Sequence, residues 1–201
     1  MIAIIDYGMG NLRSVQKAFE KVKAKAMITQ NPKDIKRATK VVLPGVGAMK
    51  PAMEKLESLG LIPVLKEAID SKKPFLGICL GLQLLFEESN EGGIVKGLGI
   101  FRGKVVRFSQ LKVPHMGWNQ IQIKQSDCAI FQDIADLANV YFCHSYFVQP
   151  EDKSLIATAT DYGAVFASAI NKRNVFGVQF HPEKSQDVGL KILQNFKEIA
   201  S

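Results

Sequence analysis

Residues 75–86 read FLGICLGLQLLF, and the reading of the whole chain turns on them. Residues 75–78 form a short apolar run behind Pro74, and 80–86 continue with leucines at helical spacing, so a buried strand turning directly into a helix is expected. Cys79 stands at the turn, with Gly77 and Gly81 two residues to either side. This GxCxG pattern has the shape of a nucleophile elbow in which sulfur replaces hydroxyl. A nucleophile at such a turn is held in a strained backbone conformation, and side chains at the flanking positions would collide with neighbouring elements. A helix start also favours the thiolate, the form that attacks. The turn by itself is also compatible with a small apolar cysteine in a core.

Toward the N-terminus, 2–5 is a β-branched run ending at Asp6, followed by Tyr7-Gly8-Met9-Gly10-Asn11 and a helical pattern over 12–25. Strand, glycine turn and helix open an α/β fold. A dinucleotide fingerprint fails here, because Arg13 stands where GxGxxG requires glycine or alanine. A short strand over 26–29 and a helical turn over 32–37 lead to an apolar strand at 41–43, then Pro44-Gly45-Val46-Gly47. That PGVG loop is placed as an active-site loop at the carboxyl edge of a parallel sheet. Glycines around Val46 let a peptide plane take either orientation, so a backbone N–H can be aimed at a developing oxyanion; an ordinary glycine turn fits the local sequence equally well. A helix over 61–71 delivers the chain to the elbow strand.

Beyond the elbow, 87–99 is acidic and glycine-rich, a surface loop, and the segments 104–108, 120–123, 155–160 and 165–170 alternate polar with apolar residues. Alternation predicts antiparallel strands with one wet face. The expected fold is therefore α/β: a mostly parallel central sheet flanked by helices, with an antiparallel or mixed extension in the second half, in one domain over 1–201. Pro114-His115-Met116-Gly117-Trp118-Asn119 reads as a loop whose sole tryptophan marks a contact surface. An apolar strand at 140–143 ends in His144-Ser145-Tyr146. A strand at 175–180 is followed by His181-Pro182-Glu183-Lys184-Ser185 and a last helix over 186–199. In an extended backbone, positions two apart share a side, so His181 and Glu183 can face one cleft. A cysteine nucleophile needs a base, and the base an acceptor that holds its tautomer. Cys79, His181 and Glu183 supply these three parts.

A hydrophobic fraction of 47% over 201 residues is enough for a full core. No apolar run approaches the roughly 20 residues of a bilayer span, and MIAIIDYG has no basic lead before its apolar segment, so neither membrane association nor a signal peptide is expected, and the cytoplasm is the expected location. Three cysteines without a CxxC pair point to reduced thiols and no zinc site. The net charge of +7 is concentrated in lysines over 17–25 and 33–40. They interleave with Val15, Ala18, Phe19 and Val22 as on the wet face of an amphipathic helix, without interleaved aromatics, so nucleic acid is not the expected partner.

These residues resemble the class I glutamine amidotransferases, whose triad is cysteine, histidine and glutamate. The similarity is carried by DYGMGNLRSV (6–15), PGVGAM (44–49), GICLGLQLLFEES (77–89), PHMGWN (114–119), HSY (144–146) and GVQFHPEKS (177–185). Within that family the chain looks most like the glutaminase subunits that serve a cyclase in histidine biosynthesis, although Met49 stands where phenylalanine is expected and Cys143 where valine is. The resemblance implies Cys79 as nucleophile, His181 as general acid and base, and Glu183 as its orienter. It implies that Leu80 and Gly45, Val46 and Gly47 offer N–H groups to the oxyanion, and that Gln83, His144, Ser145 and Tyr146 bind L-glutamine. No metal or organic cofactor is implied. The implied partner is a (β/α)₈-barrel cyclase that receives ammonia through a channel and makes imidazole glycerol phosphate, releasing aminoimidazole carboxamide ribotide. Asn11, Trp118 and Lys184 are expected on the partner face, with Lys184 turned away from the triad toward the rim.

Two other readings remain open at this point: a glutaminase subunit for another synthase, such as one making anthranilate or pyridoxal phosphate, and a stand-alone cysteine hydrolase acting on a small ester. A non-catalytic binding module of the same fold would not need the triad.

Overall fold

The computed structural model describes residues 1–200. The N-terminal half alternates strands and helices: β1 (Ile2–Ile5), α1 (Leu12–Lys21), β2 (Ala26–Thr29), α2 (Pro32–Arg37), β3 (Lys40–Gly45), α3 (Met49–Ser58), α4 (Leu61–Asp70), β4 (Phe75–Cys79) and α5 (Leu80–Gln83). The strands β5 (Phe86–Ser89), β6 (Val95–Lys96), β7 (Phe101–Arg107), β8 (His115–Ile123), β9 (Ala138–His144) and β10 (Tyr146–Pro150) follow. The chain closes with β11 (Ile156–Asp161), β12 (Val165–Lys172), β13 (Val175–Val178) and α6 (Gln186–Glu198).

Nine strands form one sheet in the order β2-β1-β3-β4-β13-β12-β11-β8-β9. From β2 to β13 neighbours run parallel; from β13 to β9 they run antiparallel. The parallel strands bury both faces: Ile2, Ile4, Val42, Leu76 and Ile78 join one core, while Ile5, Val41, Leu43 and Phe75 join the other. Each core is covered by amphipathic helices. On the first face Val15 and Phe19 of α1 pack with Ile192 and Phe196 of α6, the two phenyl rings 6.3 Å apart. On the second face lie Ile35 of α2, Leu56 of α3 and Leu65 of α4. Burying such side chains on both faces contributes roughly 1.5–3 kcal/mol for each large one, which is why these strands read as apolar runs.

The structure differs from the sequence expectation at several places, among them 87–99, expected as a surface loop, which holds most of β5 and all of β6. Strand β7, expected in the main sheet, belongs to a separate four-stranded sheet of order β10-β7-β5-β6. The elbow helix stops at Gln83 rather than Phe86. There the chain is drawn into β5, and the Leu98 and Phe101 N–H groups donate to Leu84 and Leu85 carbonyls, bonds that a longer helix would leave unmade. Helix α1 ends four residues early, because Lys23 takes φ +57° and Ala24 donates back to the Phe19 carbonyl. The PHMGWN segment is not a loop but the first part of β8, paired with β9 so that Trp118 lies opposite Tyr141. Its alternation was hidden because the outward side carries Met116 and Trp118, exposed apolar residues, and the inward side carries His115 and Asn119.

Candidate active site

Strand β4 and α5 meet at Cys79, whose φ of +55° and ψ of −109° is a conformation that non-glycine residues rarely adopt. The neighbours explain the strain. A Cβ on Gly81 would stand 1.7 Å from the Leu43 carbonyl oxygen of β3, and one on Gly77 would stand 2.6 Å from the Gly81 carbonyl oxygen. The turn therefore closes only with glycine at both positions, and it drives the cysteine side chain into the cleft.

His181 follows β13 and lines one cavity with Cys79, and its Nδ1 stands 2.8 Å from Glu183 Oε1. Extended-backbone alternation is not what pairs them. Pro182–Lys184 is a single 3₁₀ turn, which folds Glu183 back beneath the imidazole. Burial opposes protonation of His181, but the hydrogen bonds and charges of Cys79 and Glu183 outweigh it and push the imidazole up to about 10. At neutral pH the direction of that shift favours a protonated imidazole. Ser185 locks the turn, donating from Oγ to the His181 carbonyl at 2.7 Å and accepting from the Tyr141 N–H at 2.9 Å.

A cavity of about 480 Å³ opens over Cys79. Of the residues expected at the site, Val46, Gly47, Leu80, Gln83, His144, Ser145 and Tyr146 line it together with Cys79 and His181. Gly45 is buried behind them, paired in register with Cys79. Val46 is exposed and Gly47 has φ +90°, so the PGVG segment lies at the mouth. Lys184 also lines the cavity and is not turned from it; its Nζ sits 5.6 Å above the Tyr141 ring, where cation–π attraction holds it. Trp118 packs edge-on against the same ring at 6.0 Å and stays 48% exposed. Asn11, at the start of α1, is exposed and makes no capping bond.

Sequence reasoning missed three residues here. Glu91, read as part of an acidic surface loop, lines the cavity and accepts the Met49 N–H at 3.0 Å. His115 lies beneath the cavity and stands 2.9 Å from His144, Nδ1 to Nε2. Gln179 is fully buried and points its amide nitrogen at Cys79 Sγ, 3.6 Å away. The His115 and Gln179 signals were present in the PHMGWN and GVQFHPEKS stretches, but a lone polar residue inside an apolar strand does not disclose what it faces. Among the described residues no cluster of histidine, cysteine, aspartate and glutamate has metal-binding geometry, and no helix is long and apolar enough to cross a membrane.

With this geometry in place, the sequence matches the glutamine amidotransferase class-I family over residues 3–199. The chain belongs to that family. It is 54% identical to the imidazole glycerol phosphate synthase subunit HisH of Syntrophotalea carbinolica, across 99% of this chain and 100% of that one. The subunit HisH of Methanocaldococcus jannaschii is 50% identical, across 99% and 100%. A solved glutamine amidotransferase superposes with a TM-score of 0.77 over 99% of this chain and 100% of that one, at 13% identity, a likeness of fold.

Proposed function

We propose that this chain hydrolyses L-glutamine through Cys79, His181 and Glu183 and works as the glutaminase subunit of an imidazole glycerol phosphate synthase in histidine biosynthesis. The observation that carries the reading is Cys79 on its strained elbow in the cavity, which it lines together with a histidine that Glu183 holds.

The Cys79 thiolate attacks the side-chain amide carbon of glutamine, and the oxygen takes up the charge as the C=O π bond opens. The Leu80 N–H, in the first helical turn, and an N–H of the PGVG segment meet that oxygen. As the intermediate collapses, His181 gives its proton to the amide nitrogen, the C–N bond breaks so that ammonia leaves, and a glutamyl thioester remains. Water then attacks the thioester with His181 as base, returning glutamate and the thiolate. Glu91 offers a negative charge to the substrate ammonium group, and Gln83, His144, Ser145 and Tyr146 border the same space. In this reading residues 1–201 act as one glutaminase domain in the cytoplasm.

The partner is a (β/α)₈-barrel cyclase that takes the ammonia directly, because ammonia released into neutral water is protonated and no longer nucleophilic. The exposed Met116 and Trp118, the Tyr141 ring and Lys184 form a rim of apolar and cationic groups beside the cavity mouth, suited to such a partner. Asn11, exposed at the start of α1, belongs to the same docking face in this reading.

The test is Cys79→Ala in the complex. Glutamine-dependent synthesis should fall by at least about 1,000-fold while synthesis from added ammonium salt at raised pH persists. Loss of both activities would make Cys79 structural and overturn the assignment.

A further inference from the structure

We propose that Gln179 is a catalytic residue of this reaction: it donates an N–H to the Cys79 sulfur, in an orientation dictated by the backbone carbonyl of Tyr146 through the side chain of Gln83. The inference rests on the reading of Cys79 as nucleophile.

The argument starts from an atom whose role is fixed. A backbone carbonyl oxygen only accepts, and that of Tyr146 lies 3.0 Å from one terminus of the Gln83 amide, so that terminus is the nitrogen. The same nitrogen lies 3.0 Å from the Gln179 amide, which must therefore present its oxygen there. The Gln179 nitrogen is left facing the sulfur at 3.6 Å. No choice of amide orientation remains along this path.

A second chain ends on the same carbonyl from the other side. His144 Nδ1 lies 2.8 Å from the Tyr146 oxygen and is therefore a donor, which makes its Nε2 an acceptor in the neutral ring. His115 Nδ1, 2.9 Å away, must then donate, and His115 Nε2 accepts from the Asn119 amide at 3.3 Å. Burial holds both rings neutral, taking His115 down to about 4 and His144 down to about 3. The Tyr146 carbonyl is thus saturated by two donors, and neither it nor Gln83 nitrogen has freedom to turn.

The sulfur needs such a donor. Its other polar neighbour besides His181 is the Cys143 carbonyl at 3.9 Å, which can receive the thiol proton but repels a thiolate. Gln179 supplies the opposite preference: its N–H favours the anion and holds the sulfur while His181 swings its proton to the leaving group. Gln179 itself cannot follow the sulfur, since it has no solvent exposure and its backbone N–H donates to Ser168 at 2.8 Å.

The experiment is the pH dependence of iodoacetamide alkylation, followed peptide by peptide in the full-length chain, with glutamine turnover measured in the complex. Cys128, pushed up to about 11 by burial, is the slow internal reference. In Gln179→Met, close in length and without a donor, the Cys79 midpoint should rise by about one pH unit, and kcat should fall about tenfold with KM for glutamine nearly unchanged. Gln83→Met, which frees the Gln179 amide to rotate, should move the midpoint the same way by less and also raise KM. A role in packing alone would lower Tm and leave the midpoint in place. An unmoved midpoint in folded Gln179→Met overturns the proposal, as does an unmoved midpoint in Gln83→Met should the first variant not fold. A wild-type Cys79 that titrates as an ordinary thiol would instead sink the nucleophile assignment itself.

Discussion

Glu183 Oε1 accepts from His181 Nδ1 at 2.8 Å across one 3₁₀ turn, while its Oε2 is buried without a partner. Only one carboxylate oxygen is used, so the charge and the hydrogen bond are separable. Glu183→Gln keeps an oxygen for the imidazole N–H, places its NH₂ where no partner is lost, and removes only the charge. Glutaminase activity of Glu183→Gln in the complex should therefore exceed that of His181→Ala by at least about tenfold. Equal residual rates would mean that the charge, not the orientation, is what His181 requires.

A second expectation concerns the elbow. Gly81→Ala sets a methyl carbon 1.7 Å from the Leu43 carbonyl oxygen, and a backbone oxygen in the middle of a parallel sheet has nowhere to move. The cost should lie above the usual overpacking range of about 1–3 kcal/mol. Urea denaturation and soluble yield would show it; a Gly81→Ala chain within about 1 kcal/mol of wild type would mean that β3 can yield at this point.

Lys184→Ala is expected to weaken coupling rather than folding. The ammonium group is exposed, lies over Tyr141 and forms no ion pair among the described residues, so its removal costs little stability. Titration of the cyclase should show reduced affinity and reduced stimulation of the glutaminase by cyclase ligand, with Tm within a few degrees of wild type. Wild-type affinity and stimulation together would place the docking face elsewhere.

The three histidines of the chain give a pH signature in both directions. His115 and His144 have folded values depressed to about 4 and about 3, chiefly by burial, so the unfolded chain binds more protons below about 6.5 and stability declines as pH falls through that window. His181 has a folded value raised to about 10, so its contribution is complete below about 6.5 and is lost as pH climbs toward 10. The urea midpoint should therefore peak near pH 6.5, with each limb sloping by at most about 1.4 kcal/mol per pH unit per proton. Cys79→Ala should flatten the alkaline limb, because Cys79 is the leading partner that raises His181. A midpoint constant from pH 5 to pH 6.5 would contradict neutral, buried His115 and His144.

The sequence by itself carried the doubly wound core, the elbow and the candidate cysteine, histidine and glutamate, because each leaves a local trace. Strands buried on both faces must be apolar without interruption, a strained nucleophile turn must be flanked by glycines, and a histidine with its acceptor two residues on can be read from spacing. Even there the spacing gave the right pair for the wrong reason, since a 3₁₀ turn rather than an extended strand joins His181 to Glu183. What only the tertiary structure decided were relationships between residues far apart in the chain. The length of α5 was set by carbonyl partners on 97–101, and the status of PHMGWN as a strand by pairing with β9. The path from Asn119 to Cys79 joins β8, the end of β9, the start of β10, α5 and the residue that follows β13. A hydrogen bond is made by atoms within about 3 Å, so no periodicity along the chain can announce it, and the side chains of Gln83, His115 and Gln179 acquire their directions only when the sheet brings those strands together.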